Sequence, residues 1–599
     1  MIVLGICDSH ESHACIVRDG KLEAVIAEER LSRLKSDMGY PHRSIERVLR
    51  MASVEPNDID VVAVAGRSGF LLQAVYKLST VFNVKDWVDQ CYRIWKPVLL
   101  EGKPYDPMED FDLYKHLRGD VEKDMYYPLI ERLRDSPPET WSEIGMQARR
   151  EIIAEHIGID LRKVQFYRHE DCHKAYGYYS AQVRPKQGLV FTIEGGGDDS
   201  SATVSTMTDN LLTEHWRSNE VMLGRLYRYV TLILGMRPIQ HEYKVMGLAP
   251  YGTEYHGKHS LEFFRSINSV QGTEILKHNV VPDMYFSVKK ALECDRFDGI
   301  AWGLQSYLEE TLREWVRNNV HAHQMSDIVL SGGVAQNIKA AKVLTEIPEV
   351  NSLWIGPISG DGSLGVGAAW LASNKYSRET PIQGMPSVYL GTEYDVTAID
   401  QAIASADLEA KYHLIREPSM DNVATWIDRG IIVARYSGRM EFGQRALGNR
   451  SILADPRSWN SVERINNKIK YRDFWMPFTP SMMIEEAERM LINPKNIYSP
   501  FMTMAFDLKP KFVEQLAAVI HPADKTIRPQ MLKRESNPGY YELLEAFKAR
   551  TGLGVLLNTS FNLHGEAIVE SPEDAISVFE RSTLDVIIFD HVAISRVKL

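Results

Sequence analysis

Long apolar runs are missing from this chain. No stretch approaches the roughly 18 apolar residues of a membrane span, and the short apolar opening from Met1 to Cys7 has no basic region before it. Neither a membrane segment nor a removed leader is expected. Cysteine is scarce as well: Cys7, Cys15, Cys91, Cys172 and Cys294 are odd in number and lack the spacing of a disulfide framework or a zinc site. A reducing, cytoplasmic setting is expected. Basic excess is also absent. The 69 Lys and Arg face 80 Asp and Glu, for a net charge of −11, which disfavours long-range attraction to nucleic acid while still permitting a local basic patch. No internal repeat or low-complexity segment interrupts the chain.

What remains is an ordinary globular composition, 44% hydrophobic and 25% charged over 599 residues, too long for a single core. The least ordinary stretch runs from Gly438 to Arg457. Four arginines and three glycines share it, directly after the apolar run Ile431–Ala434 that reads as a buried strand. Glycine lets backbone N–H groups approach a ligand, so the pattern suggests an anion cradle. Arg439, Arg445 and Arg450 are candidate phosphate ligands, with Glu441 available to hold one guanidinium; the alternative is a solvated basic loop. Lys468, Lys470, Arg472, Arg528 and Asn558 follow in similar polar company and favour a site.

From its start the chain reads as three strands, with Asp19-Gly20 as a hairpin signal. The first turn carries Asp8, His10, Glu11 and His13. Two histidines exceed what a structural turn needs, and His10 is expected close to the chemistry as a base. Lys35 is either a solvated charge or a phosphate ligand. Residues 68–157 turn to long amphipathic stretches rich in Trp and Tyr, an expected helical insertion whose aromatics are read as packing, with substrate selectivity as the alternative for an insertion beside an active site.

His169 and His173, four apart, share one face of a helix, as metal coordination by one helix requires. HEDCH matches the zinc-protease string, but Asp171 and Cys172 make a poorly helical centre, so a protease is not expected. Glu194-Gly195-Gly196-Gly197 after an apolar strand has the form of a phosphate loop or of a plain hairpin. Gly332-Gly333, with Asn337 beyond, follows another strand, and Asp361 ends a third. Asp361 either caps the next helix or completes a two-histidine, one-carboxylate set suited to Fe(II) or another divalent ion. Residues 374–387 read as a linker.

In this order the segments resemble the NodU/CmcH/TobZ family of O-carbamoyltransferases over nearly the whole chain. The resemblance rests on the His10 turn with EERLSRLK, the His169/His173 pair, EYKVMGLAPYG, SGGVAQN, SGDGSLGVGAA, RMEFGQRALGNRSILADPR, RPQ and LLNTSFN. It implies an α/β fold of two domains. Residues 1–375 would be a Kae/Gcp-like, actin-like, duplicated RNase H-type domain, and 376–599 a YrdC-like α/β domain. The second would form carbamoyl-adenylate from carbamoyl phosphate and ATP, and the first would pass the carbamoyl group to a hydroxyl. By resemblance, His169, His173 and Asp361 bind a divalent metal, Fe(II) foremost with Mg2+ also admitted. His10 meets the acceptor hydroxyl, Asp8 contacts the acceptor, and Lys35, Gly195, Gly196, Gly332, Gly333 and Asn337 bind nucleotide. Arg439, Glu441, Arg445, Lys470, Arg472, Arg528 and Asn558 form the carbamoyl phosphate and ATP site. Gln444, Met476 and Glu194 stand where the family usually has proline, arginine and aspartate, and His13 where a small residue is usual. Acceptors implied include antibiotic sugars, lipo-oligosaccharides and cephem hydroxymethyl groups; a hydroxymethylated nucleobase is chemically admissible, and a homodimer is left open. Two competing readings are a tRNA threonylcarbamoylation-type transferase, disfavoured by the acidic charge, and a non-catalytic nucleotide-dependent binding module, disfavoured by the retained His10 and metal set.

Overall fold

Asp19 and Gly20 both take positive φ, 48° and 75°, the conformation of a tight hairpin whose twist matches its strands. That turn joins His13–Arg18 to Lys21–Ala27, and both pair with Ile2–Cys7 in an antiparallel meander. Val61–Ala65 and Val164–Tyr167 extend the sheet on its other side in parallel. The structure, a computed structural model, describes every residue except 68–70, 279–280, 282, 378 and 386.

A second five-stranded sheet repeats the plan. Gln187–Ile193, Ala202–Thr208 and Leu211–Ser218 form the meander, and Asp327–Ser331 and Ser352–Trp354 add in parallel beside the first of them. Each sheet therefore runs third, second, first, fourth, fifth strand, a duplication of topology. Helices His169–Tyr179 and Leu364–Tyr376 pack together, with Tyr176 stacked 6.1 Å from Trp370. A Cβ at Gly367 would lie 2.0 Å from the Cys172 carbonyl oxygen, so only glycine lets these helices approach so closely.

The aromatic stretches between the first sheet's two parallel additions do form helices. Val84–Gln90 begins at Asn83, whose side chain accepts the Asp86 N–H while Asp86 accepts the Asn83 N–H, a reciprocal cap. Trp141–Ile157 ends at Gly158 with φ 79°. Tyr76, Phe82, Phe111, Tyr114 and Tyr126 share a core with Leu4, Ile6 and Ile16 of the sheet, each such side chain worth roughly 1.5–3 kcal/mol on burial. The expected start of the insertion, at 68, lies outside the described residues.

The chain divides into two compact units, Met1–Pro386 and Ser387–Leu599. The expected boundary at 375/376 falls inside helix Leu364–Tyr376. Of the expected linker, 378 and 386 lie outside the described residues, while Ile382 and Met385 are buried and the Gln383 N–H donates to Gly20 O at 3.1 Å. That segment therefore packs on the first unit.

The second unit is built on a mixed eight-stranded sheet. Val433–Tyr436, Arg450–Ala454, Val555–Ser560 and Thr479–Met483 lie consecutively at its centre and pair antiparallel. The expected basic loop thus ends at Arg450, which opens a buried strand.

Candidate functional site

Helix His169–Tyr179 forms despite its polar centre because Glu170 and Asp171 occupy the first turn, where negative charge is favoured. Asp171 also pairs with Arg168 at 2.8 Å and Lys174 at 3.0 Å. Glu170 points to the neighbouring loop, accepting from Ser200 Oγ at 3.1 Å and the Asp199 N–H at 3.3 Å. The helix carries His169 and His173 toward Glu194, at the end of strand Gln187–Ile193. One oxygen, Glu194 Oε2, lies 2.8 Å from His169 Nε2 and 3.1 Å from His173 Nε2. Asp361 Oδ1 is 3.6 Å from both. The four ligand atoms lie within 4.8 Å of one another.

Asp361 makes no helix-capping bond; its carboxylate belongs to this cluster. Burial lowers the His169 pKa, but Glu194 and Asp361 outweigh it and push the group up to about 10. Burial likewise opposes ionisation of Asp361, yet His169, His173 and His10 hold its carboxyl well below the usual range. Two carboxylates beside two imidazoles in a buried site leave a deficit of about two positive charges when the imidazoles are neutral. A divalent cation matches that deficit and this donor set.

The His10 turn is tied to the Asp361 loop. Gly362 N–H donates to Glu11 Oε2 at 2.9 Å and Gly365 N–H to His13 Nε2 at 3.0 Å. His13 Nδ1 is 2.9 Å from Glu11 O, so its Nδ1 carries the proton and its Nε2 accepts. Burial pushes the His13 pKa down to about 4. Asp8, expected at the acceptor, is held from the insertion side. Its carboxylate, 2% exposed, is gripped by Arg149 through Nε at 2.8 Å and Nη2 at 2.6 Å, and by the Tyr126 hydroxyl.

Lys35 is half-buried in the turn after helix Glu28–Ser32. Gly195 and Gly196 lie in the turn beyond Glu194, with Arg225 Nε donating to Gly195 O at 2.8 Å. Gly332 has φ 91°, and a Cβ there would meet Ile193 O at 2.4 Å, whereas Gly333 faces open space. Asn337 caps helix Ile338–Thr345 through the Ala340 N–H and exchanges bonds with Gln305.

In the second unit the polar residues sort into two groups. One oxygen of Glu441, Oε1, accepts the N–H groups of Leu447, Asn449 and Arg450 at 2.7–3.1 Å. Arg450 is fully buried, donates to the carbonyls of Ser437, Asn449, Gly438 and Thr392, and stacks 3.7 Å from the Tyr436 ring centre. Arg439 donates to Gly391 O and Leu390 O. Lys470 is enclosed by four oxygens of Ser560 and Asn562, more than its three protons can serve. These bonds tie the loop to its neighbours. Arg472 donates to Thr559 Oγ1 at 3.0 Å and lies 4.8 Å from the Phe478 ring centre; burial, then the charges of Arg445 and Arg472, push the Arg528 pKa well down. The Nε of Arg528, like that of Arg450, is buried without a hydrogen-bond partner. Asn558 donates to Ala446 O and Ser481 Oγ, and its buried Oδ1 has no partner.

Glu194, Glu11 and Arg149 were not readable as site residues from the chain alone. A carboxylate ending a strand before three glycines was the available signal for Glu194; Arg149 offered none.

Fold and site together define an α/β protein whose first unit, built on two like sheets, carries a buried two-histidine, two-carboxylate cluster. Residues 2–370 match the carbamoyltransferase N-terminus and residues 424–596 the carbamoyltransferase C-terminus. The chain belongs to the carbamoyltransferase family and is a transferase. It is 31% identical over 462 residues to an uncharacterized protein of Methanocaldococcus jannaschii, covering 73% of this chain and 74% of that one. It is 29% identical over 588 residues to nodulation protein NolNO of Sinorhizobium fredii, covering 96% and 77%. It is also similar to 3′-hydroxymethylcephem-O-carbamoyltransferase of Amycolatopsis lactamdurans, 27% identical over 288 residues, 48% and 52% of the two chains. Among the described residues no helix is long and apolar enough to cross a membrane.

Proposed function

We propose that the protein is an ATP-dependent O-carbamoyltransferase acting on a hydroxyl of a small molecule. The observation that carries this is the arginine cluster of the second unit. A guanidinium with a buried unpartnered Nε, beside two more guanidiniums, is destabilising unless an anion joins it. Carbamoyl phosphate and the ATP phosphates supply that charge, and Arg445, Arg472 and Arg528 would hold them. Overall, carbamoyl phosphate, ATP and one water give carbamoyl-adenylate, phosphate and pyrophosphate. The acceptor oxygen then forms a bond to the carbamoyl carbon, the carbon–oxygen bond to the adenylate breaks, and AMP leaves.

In the first unit His10 takes the acceptor proton. His169, His173, Glu194 and Asp361 would hold a divalent cation, Fe(II) by the donor set, which supplies Lewis-acid polarisation of a carbonyl or phosphoryl oxygen. Glu11 and His13 keep the Asp361 loop in register with the His10 turn. One relative's name specifies a hydroxymethyl acceptor, and that class, with sugar hydroxyls, is the one proposed here.

The test is mass spectrometry of AMP, pyrophosphate and carbamoyl-adenylate before any acceptor is added. Adenylate or its breakdown products appearing only with both carbamoyl phosphate and ATP support the reading. Their absence with divalent metal and a panel of hydroxyl acceptors supplied defeats it.

A further inference from the structure

The His10 ring makes one hydrogen bond within the described residues. Its Nδ1 lies 3.0 Å from Ser79 Oγ, on helix Leu78–Val81 of the insertion. Ser79 is buried and held from several sides. Its carbonyl accepts Arg237 Nη2 at 3.0 Å and Gln240 Nε2 at 2.9 Å, and the next residue, Thr80, donates Oγ1 to Ser36 O at 3.1 Å. Lys77, just before the helix, pairs with Asp37. The hydroxyl position is therefore set by the fold.

Ser79 Oγ also lies 3.3 Å from Met38 Sδ, which receives the Ser79 N–H at the same distance. A thioether accepts and cannot donate. With the hydroxyl proton directed at Met38, the Ser79 oxygen is the acceptor for His10 and Nδ1 bears the ring proton. Nε2 then keeps its lone pair.

We propose that Ser79 is a positioning residue for carbamoyl transfer. It accepts the His10 Nδ1–H, fixes the ring, and leaves Nε2 to take the acceptor hydroxyl's proton as that oxygen bonds to the carbamoyl carbon and AMP departs. The imidazolium so formed keeps its Nδ1–H on Ser79 Oγ. This rests on His10 as the base, and it gives the insertion a part in the chemistry beyond packing.

The experiment uses the full chain labelled with 15N-histidine, the His10 signals being those lost in His10→Gln. Expected above neutral pH is a protonated Nδ1 and an unprotonated Nε2, with the opposite tautomer gaining population in Ser79→Ala. Transfer turnover in Ser79→Ala should fall roughly 10- to 100-fold, with adenylate formation and the KM values for ATP and carbamoyl phosphate unchanged. Ser79→Thr, which restores a hydroxyl, should recover both tautomer and turnover, separating positioning from misfolding. A wild-type ring protonated at Nε2, or Ser79→Ala retaining both tautomer and turnover while His10→Gln is inactive, overturns the role of Ser79 alone. An altered tautomer with undiminished transfer overturns His10 as base, and the proposal with it.

Discussion

Asp8 and Arg149 meet as a two-pronged ion pair, each about 1% exposed at the side chain, joining the His10 turn to the helical insertion. Arg149 additionally donates to Gly66 O at 3.1 Å and lies 4.7 Å from the Phe166 ring centre. Such a pair gains little over an apolar replacement, yet breaking it strands a buried charge. Asp8→Asn should cost the first unit about 3–5 kcal/mol in urea unfolding, and adding Arg149→Met should recover part of that. A loss below about 1 kcal/mol in the single variant would mean that the guanidinium finds water or another partner on its own.

Acid should weaken the first unit through His13. Its pKa is about 4 in the fold against 6.5 when exposed, so between those values the unfolded chain takes up a proton that the native chain does not. Stability is therefore fully present above about pH 6.5 and falls as pH drops toward 4. By linkage the loss reaches about 2 kcal/mol at pH 5. His13→Asn, which cannot titrate, should show a flatter stability profile between pH 7 and 5 once other groups are matched. Parallel profiles for the two proteins would remove His13 as the cause.

What the chain disclosed about itself follows from range. The Asp19-Gly20 hairpin, the helical spacing of His169 and His173, and strands ending in Gly332 or before Asp361 are local patterns, and local patterns are where sequence carries structural information. Partners across the fold are not local. Asp8 reads as a polar turn residue until Arg149, 141 positions away, is brought to it. Glu441, Arg450 and Lys470 have the composition of an anion site, and no spacing reveals the N–H groups and oxygens that the fold brings to them. Glu194 shows in the sequence only as a carboxylate ending a strand before three glycines, in the place of a familiar aspartate. Its longer side chain spans both imidazoles.

The buried cluster leads to a binding prediction. With two carboxylates and two imidazoles converging, a divalent cation should raise the unfolding midpoint of the metal-stripped chain. At a hundredfold excess over Kd the gain is about 2.7 kcal/mol. His173→Ala and Glu194→Gln should each abolish most of that gain and lower the metal content measured by plasma mass spectrometry. Identical midpoints with and without Fe(II), Mn2+ or Mg2+ would show that the four residues pair only with one another.

Arg450 and Arg528 offer the sharpest contrast, because both are arginines of the second unit and the structure assigns them opposite economies. Arg450 serves four carbonyl oxygens and the face of Tyr436, so Arg450→Met should strand buried acceptors and cost about 3 kcal/mol or more. Arg528 shares with Arg450 a buried Nε without a partner, but it lies beside two like charges. Arg528→Met should therefore leave stability unchanged or raise it, while adenylate formation falls at least tenfold, since strain kept in a fold without structural return marks a place reserved for ligand. Thermal melts with and without carbamoyl phosphate separate the cases: the ligand should stabilise the wild type and Arg450→Met, and leave Arg528→Met unmoved. If Arg528→Met destabilises the unit as much as Arg450→Met does, the cluster is structural and the anion site must be sought elsewhere.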